Sequence, residues 1–184
     1  ITTRPIKGTS PRGTTPEEDE MLYQKLLHSN KDKSELLMIV DLERNDLNRV
    51  CKPQSVQVTE LFTVEAYATV FHLVANIEGD LREDKTVMDL LESAFPGGSI
   101  TGAPKQRAME IIDELELCKR NLYTGSLGYL TLDGDCDFNI VIRTAVHQNG
   151  SSYLGVGGGI TVESDPLAEY EETLLKAKAI LNVL

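Results

Sequence analysis

Hydrophobic and polar positions change period several times along this chain, and each change predicts an element. Thr15-Pro16-Glu17-Glu18 sets a hydroxyl, a proline at the first helical position and acids in the first turn, which predicts a helix to about Ser29. A second helix is predicted from Lys31 or Asp32 to about Asn45. Its Leu36, Leu37, Met38, Ile39, Val40 and Leu42 cover most of the circumference, so burial on nearly all sides is expected. Between Ser55 and Leu81 the β-branched and aromatic content rises, and two strands are predicted, Val56-Gln57-Val58-Thr59 and residues 68–74. Residues 86–94 read as a short helix.

A glycine-rich loop covers residues 95–103, and Pro104 begins a helix through about Cys118 with Ala108, Ile111, Ile112 and Leu115 on its apolar face. Three strands follow, near 125–132, 136–147 and 152–156, joined by the hairpin-type turns Asp133-Gly134-Asp135 and Gln148-Asn149-Gly150. A last helix spans about 165–182, with Leu167, Tyr170, Leu174, Ala177 and Leu181 as its core stripe. Because the strands arrive in hairpins instead of alternating with helices, the predicted class is α+β, an antiparallel sheet layered with helices. At 184 residues one domain is the expectation.

Charge narrows the choice of partners. The 29 acidic against 18 basic residues leave a net charge of −11, which opposes nucleic acid and anionic membrane surfaces. Three cysteines without a CxxC pair, and the lack of a bilayer-length apolar run, predict a cytoplasmic protein with reduced thiols. An acidic chain still accepts a small anion if a divalent metal bridges it to carboxylates. The chain opens at Ile1 inside an extended, functional-looking segment, so sequence upstream of it is expected.

Several residues carry candidate chemistry. Lys7 lies between Pro5 and Gly8 on a conformationally limited segment, as a positioned nucleophile or anion clamp would; an exposed turn lysine reads the same way. Glu169, Glu172 and Lys176 share one face of the last helix, and Asp32 and Glu35 share one face of the second. Two carboxylate pairs suit Mg²⁺, which takes few protein oxygens; caps and surface ion pairs fit the same pattern. Gly157-Gly158-Gly159 brings backbone N–H groups close to something, commonly an anion. Arg143, predicted in mid-strand between Val141 and Ala145, needs an acceptor, whether a bound carboxylate or a structural partner. His72, inside a strand, reads as a base or as a hydrogen-bonded core histidine. The loop from Gly97 to Gly102 has Walker-like glycine spacing, but Ala103-Pro104 follows where a P-loop needs Lys-Ser/Thr. The Gly155 run lacks the third glycine of a dinucleotide fingerprint.

Six segments taken in order resemble the chorismate-utilising enzymes: Pro5-Ile6-Lys7-Gly8-Thr9-x-Pro11-Arg12-Gly13, Met38-Ile39-Val40-Asp41-Leu42-x-Arg44-Asn45-Asp46-Leu47, Phe71-His72-Leu73-Val74, residues 95–105, Ile142-Arg143-Thr144 and Gly157-Gly158-Gly159-Ile160. The resemblance implies that the chain is part of that family's layered α/β sandwich and that it binds chorismate with Mg²⁺. It implies Glu35 and Glu172 as metal ligands with Asp32 and Glu169 in support. Tyr123, Arg143, Gly157, Gly159 and Lys176 would hold the substrate carboxylates, Ser99 and Thr101 would line the pocket, and His72 would sit beside the departing C4 hydroxyl. Within the family, lysine at position 7 resembles the aminodeoxychorismate synthases, where it attacks ring carbon C2, whereas anthranilate synthases usually carry alanine. The implied reaction forms 4-amino-4-deoxychorismate, on the way to para-aminobenzoate and folate, from chorismate and ammonia supplied by a glutamine amidotransferase subunit. Anthranilate synthesis, or chorismate binding without turnover, are the alternatives. In the family roughly half the subunit precedes the lysine motif and supplies part of the sheet and a general-acid glutamate. Residues 1–184 are therefore expected to be the C-terminal part of a catalytic domain whose N-terminal half lies elsewhere, in cis or in trans.

Overall fold

Alternation along Val70–Glu78 organises the first part of the molecule: Phe71, Leu73, Ala75 and Ile77 face one way, and His72, Val74 and Asn76 the other. This computed structural model describes residues 1–162 and 164–182. It divides into two compact units, Ile1–Ile111 and Ile112–Leu184.

In the first unit β1 (Thr2–Thr3) and β2 (Ile6–Pro11) pair with one edge of β4 (Val70–Glu78), and β3 (Gln57–Ala66) pairs with the other, all antiparallel. Helices α1 (Pro16–Leu27) and α2 (Asn30–Asn48) lie on one face. Leu26, Leu36, Val40 and Leu47 join Phe71, Leu73, Ala75 and Ile77 in one buried cluster. Each of the Leu, Val, Ile and Phe side chains contributes about 1.5–3 kcal/mol when fully buried, so this layer fixes the sheet that carries Lys7 and His72. The helix starts follow their caps: Thr15 Oγ1 accepts from Glu18 N at 3.2 Å, and Ser29 Oγ from Asp32 N at 3.3 Å. Helix α3 (Val87–Ala94) opens on a Thr86–Asp89 capping box, whose bonds hold the Asp89 carboxyl down to about 2. A 3₁₀ turn (Gly98–Ile100) follows, and α4 (Lys105–Leu115) crosses the division between the units.

The second unit holds two separate antiparallel hairpins, β5 (Ser126–Leu130) with β6 (Cys136–Ile140) and β7 (Ala145–Gln148) with β8 (Ser151–Leu154), and helix α5 (Pro166–Leu181) capped by Asp165.

Three expectations need correction. Burial of α2 on nearly all sides fails, because the helix meets the sheet along one face only. Leu37 and Met38 remain 44% and 40% exposed, lining a cleft of about 720 Å³ with Leu42, Pro104 and Lys105. The single strand predicted over 136–147 is two strands. Ile142 N donates to Ile140 O at 3.0 Å and Arg143 turns to φ +52°, so Arg143 lies in a break and not in mid-strand. The core stripe of α5 is also exposed except at Ala177: two narrow hairpins offer no continuous sheet face for Leu167, Tyr170, Leu174 and Leu181 to cover.

Candidate functional site

Sequence-predicted residues gather separately in each unit. In the first, β2 carries an irregularity between Ile6, paired with Val74, and Thr9, paired with His72. Gly8 sits inside it at φ +82°, a conformation costly for other residues, and a Cβ there would lie 2.9 Å from Asp32 Cβ. The lysine motif is thereby pressed against the first turn of α2, next to the Asp32 and Glu35 pair. Lys7 is half-buried, and among the described residues its ammonium makes no hydrogen bond or ion pair. Glu35 is 3.9 Å from Lys31, one turn earlier.

His72 is half-buried and held on two sides. Thr9 Oγ1 is 3.0 Å from its Nδ1, and the Tyr67 ring meets it edge-on at 5.5 Å. Tyr67 donates its hydroxyl to Glu65 at 2.7 Å, and Arg4 contacts the other Glu65 oxygen at 2.5 Å; these bonds, Tyr67's first, hold the Glu65 carboxyl below its usual range. Ser99 lies in the 3₁₀ turn, and Thr101 closes that turn by donating to Gly97 O at 3.0 Å. The loop's far end is pinned by Lys105, whose Nζ is 2.5 Å from Asp46 Oδ2 and 3.3 Å from Ala94 O. Beneath it Glu43, hydrogen-bonded to Thr3 at 2.9 Å, is pushed up to about 7 by burial.

In the second unit the glycine run forms a cradle. A Cβ on Gly155 would lie 2.2 Å from the Tyr123 ring, one on Gly157 2.8 Å from the Tyr123 hydroxyl, and one on Gly158 3.2 Å from Glu169 Oε2. Lys176 donates to Gly157 O at 3.4 Å and pairs with Glu172 at 2.6 Å, the i,i+4 bridge expected of this helix face. Ser164 donates to Glu169 at 2.7 Å. Burial raises the Tyr123 phenol, favouring a neutral hydrogen-bond donor. Gly159 and Arg143 are exposed, and among the described residues the Arg143 guanidinium has no acceptor.

Tyr123, Gly157, Glu169, Glu172 and Lys176 are thus together; Lys7 adjoins Gly8, which abuts Asp32 one turn before Glu35, and His72 stands on the same sheet; Ser99 and Thr101 share one turn. Among the described residues no group of three or more His, Cys, Asp or Glu side chains converges as a metal cage. The donors still suit a hard cation, since each unit presents two carboxylates one helical turn apart and no competing thiolate. Sequence reasoning gave no role to Thr9, whose signal was its place two residues beyond Lys7. It also missed the Asp46–Lys105 pair, although both lay in quoted segments.

Three kinds of likeness bear on this arrangement. The family model described as chorismate binding enzyme matches residues 1–182. Aminodeoxychorismate synthase component 1 of Klebsiella aerogenes is 54% identical over 184 residues, all of this chain and 41% of its own length. Anthranilate synthase component 1 of Mycolicibacterium smegmatis is 49% identical over 183 residues, 35% of its length. The crystal structure of anthranilate synthase component I from Streptococcus pneumoniae superposes with a TM-score of 0.86 at 43% identity, covering 96% of this chain and 39% of that one. The chain therefore spans about two fifths of the bacterial relatives it matches. No helix among the described residues is long and apolar enough to cross a membrane.

Proposed function

Because the chain belongs to the chorismate-binding enzymes, we propose that it is the part of an aminodeoxychorismate synthase component that carries the attacking lysine, the metal ligands and the carboxylate cradle. The observation that carries the reading is Lys7 itself, half-buried and without a partner among the described residues, on the Gly8 bulge that packs against Asp32. The 54% identity to an aminodeoxychorismate synthase component over the whole chain supports it.

Chorismate is a dicarboxylate. Lys176, Arg143 and the backbone N–H groups of Gly157 and Gly159 would take its carboxylates, with Tyr123 as a neutral donor. Glu35 and Glu172 would hold Mg²⁺, with Asp32 and Glu169 in support; when bound, the ion would neutralise a substrate carboxylate and ease departure of the C4 hydroxyl. Lys7, as the free amine, would form a C–N bond at C2 while the ring π electrons shift and the C4–O bond breaks beside His72. Ammonia would then bond to C4, reverse the shift and expel the Lys7 amine, giving 4-amino-4-deoxychorismate. A glutamine amidotransferase subunit would supply the ammonia, in the cytoplasm, and the remaining part of the catalytic domain, in cis or in trans, would complete the site.

Anthranilate synthesis is the second reading, favoured by the 49% identity to an anthranilate synthase component. The products separate the two, since anthranilate is aromatic and fluorescent and forms with release of pyruvate. Fluorescent product from the complete subunit, chorismate and ammonia would overturn the first reading. In its favour would be a covalent adduct at Lys7 when the subunit is quenched with chorismate in the absence of ammonia. The metal assignment has its own test: calorimetry of Glu172→Gln should show chorismate binding that no longer depends on Mg²⁺.

A further inference from the structure

His72 has a partner whose position is set by the bulge. Successive strand residues alternate faces, so in a regular β2 strand Ile6 and Thr9, three apart, would point to opposite faces. Ile6 nevertheless pairs with Val74 and Thr9 with His72, two residues of β4 that share a face. The irregularity at Lys7-Gly8 supplies the one-residue offset that turns Thr9 toward His72, and Gly8 accepts the φ of +82° that it demands. One backbone feature therefore presents Lys7 and brings the Thr9 hydroxyl 3.0 Å from His72 Nδ1.

We infer that Thr9 is a positioning residue: its hydroxyl donates to Nδ1 of His72, so the neutral imidazole carries its proton on Nε2 and offers Nε2–H to the departing hydroxyl. A hydroxyl can donate or accept at this nitrogen, and the direction assigned is the one that leaves Nε2–H facing substrate. Among the described residues the Thr9 hydroxyl has no other acceptor, and neutral imidazole has one unprotonated nitrogen to receive it. The Tyr67 ring, held by Glu65 and Arg4, closes the side of the imidazole by edge-on contact and limits its rotation. With Nδ1 and ring tilt both fixed, Nε2 is the nitrogen left for substrate. His28 supplies an internal contrast. Its Nδ1 faces the Gln24 carbonyl at 2.9 Å, which only accepts, so there the proton is on Nδ1.

The catalytic part of this inference rests on the proposed reaction; the tautomer does not. Imidazole ¹⁵N spectra of the full chain, taken well above the ordinary histidine pKa of about 6.5, should show His72 protonated on Nε2 and His28 on Nδ1. Thr9→Val removes the hydroxyl at nearly constant shape and should leave His72 a mixture of tautomers, whereas Thr9→Ser should keep the wild-type signal. In the complete subunit Thr9→Val should lower kcat about 10- to 100-fold with KM changed by less than about twofold, and Thr9→Ser should restore it. A wild-type His72 protonated on Nδ1, or a Thr9→Val protein with unchanged tautomer and kcat, would overturn the assignment. Should the subunit make anthranilate, the proposed reaction fails while the tautomer result stands. Should it make aminodeoxychorismate with His72 in the other tautomer, only the role of Thr9 fails.

Discussion

Replacing Lys105 by methionine tests how the glycine-rich loop is held. The side chains of Asp46 and Lys105 are 5% and 16% exposed and meet at 2.5 Å, and Ser93 donates to Asp46 O at 2.7 Å. Burial raises the Asp46 carboxyl even with Lys105 pulling it down, so the aspartate is costly to leave alone. At an effective dielectric near 20 the gross attraction at this distance is about 7 kcal/mol, mostly offset by the cost of removing both charges from water. Methionine keeps the volume and deletes the charge, and breaking a buried pair in this way costs about 3–5 kcal/mol. Asp46 has an escape route, because taking up a proton at neutral pH costs a carboxyl of ordinary pKa about 4 kcal/mol. The expected loss is therefore about 3–4 kcal/mol at neutral pH and about 2 kcal/mol or less near pH 5, where that proton is cheaper. Urea unfolding at both pH values reads it, with hydrogen exchange over residues 95–104 reporting whether the loop loosens. Lys105→Met/Asp46→Asn should recover part of the loss. A pH-independent loss, or one under about 1 kcal/mol, would rule out a charge-pair role and leave Lys105 a packing residue.

Glu43 predicts a slope of the same sign in the unmutated chain. Its carboxyl is raised from 4.5 to about 7, so the folded state holds the proton more tightly than the unfolded one. The associated stability, about 3 kcal/mol, is present below pH 4.5 and lost as pH rises through about 7; Glu43→Gln should flatten that part of a plot of unfolding midpoint against pH. Gly155→Ala drives a methyl into the Tyr123 ring, so the tyrosine near-UV circular dichroism should change and the thermal midpoint fall, whereas in a Tyr123→Ala background the same substitution should lower the midpoint much less. Lys7→Ala should leave stability within about 0.5 kcal/mol, since the ammonium has no partner among the described residues, yet slow C4 amination in the complete subunit about 100-fold or more in a product assay.

What could be read in advance tracks how local the determining physics is. Thr15, Ser29, Thr86 and Asp165 cap helices through bonds spanning three residues, and all four helix starts were legible to within two positions. The β3–β4 turn was misplaced because Ala68 and Thr69 carry no turn chemistry. It is closed by Tyr67 N on Val70 O at 2.8 Å, inside what reads as continuous strand. Apolar periodicity overestimated burial on α2 and α5, because a stripe states what a helix can cover and not how much surface there is to cover. The candidate residues were legible as a set. The bulge that presents Lys7 was not, since Gly8 signals freedom without register, and neither was the Asp46–Lys105 pair, which joins positions 59 apart.

The two units share an electrostatic arrangement that bears on how an acidic chain would receive a dianion. Each proposed metal ligand has a lysine one helical turn away, Lys31 at 3.9 Å from Glu35 and Lys176 at 2.6 Å from Glu172. The first is a loose pair to an exposed lysine that contributes little, so Glu35 can exchange it for another cation at small cost. The second is closer, and Lys176 also reaches Gly157 O, so its ammonium is already turned toward the glycine cradle. A divalent ion on Glu172 would replace that lysine as the carboxylate's counter-charge and leave Lys176 to a substrate carboxylate beside the Gly157 and Gly159 N–H groups. Without the ion the same lysine would be divided between two anions, and the chain's net charge of −11 would repel the substrate. On the proposed reading, metal and chorismate therefore depend on each other through Lys176, a coupling that this helix face carries in a single turn.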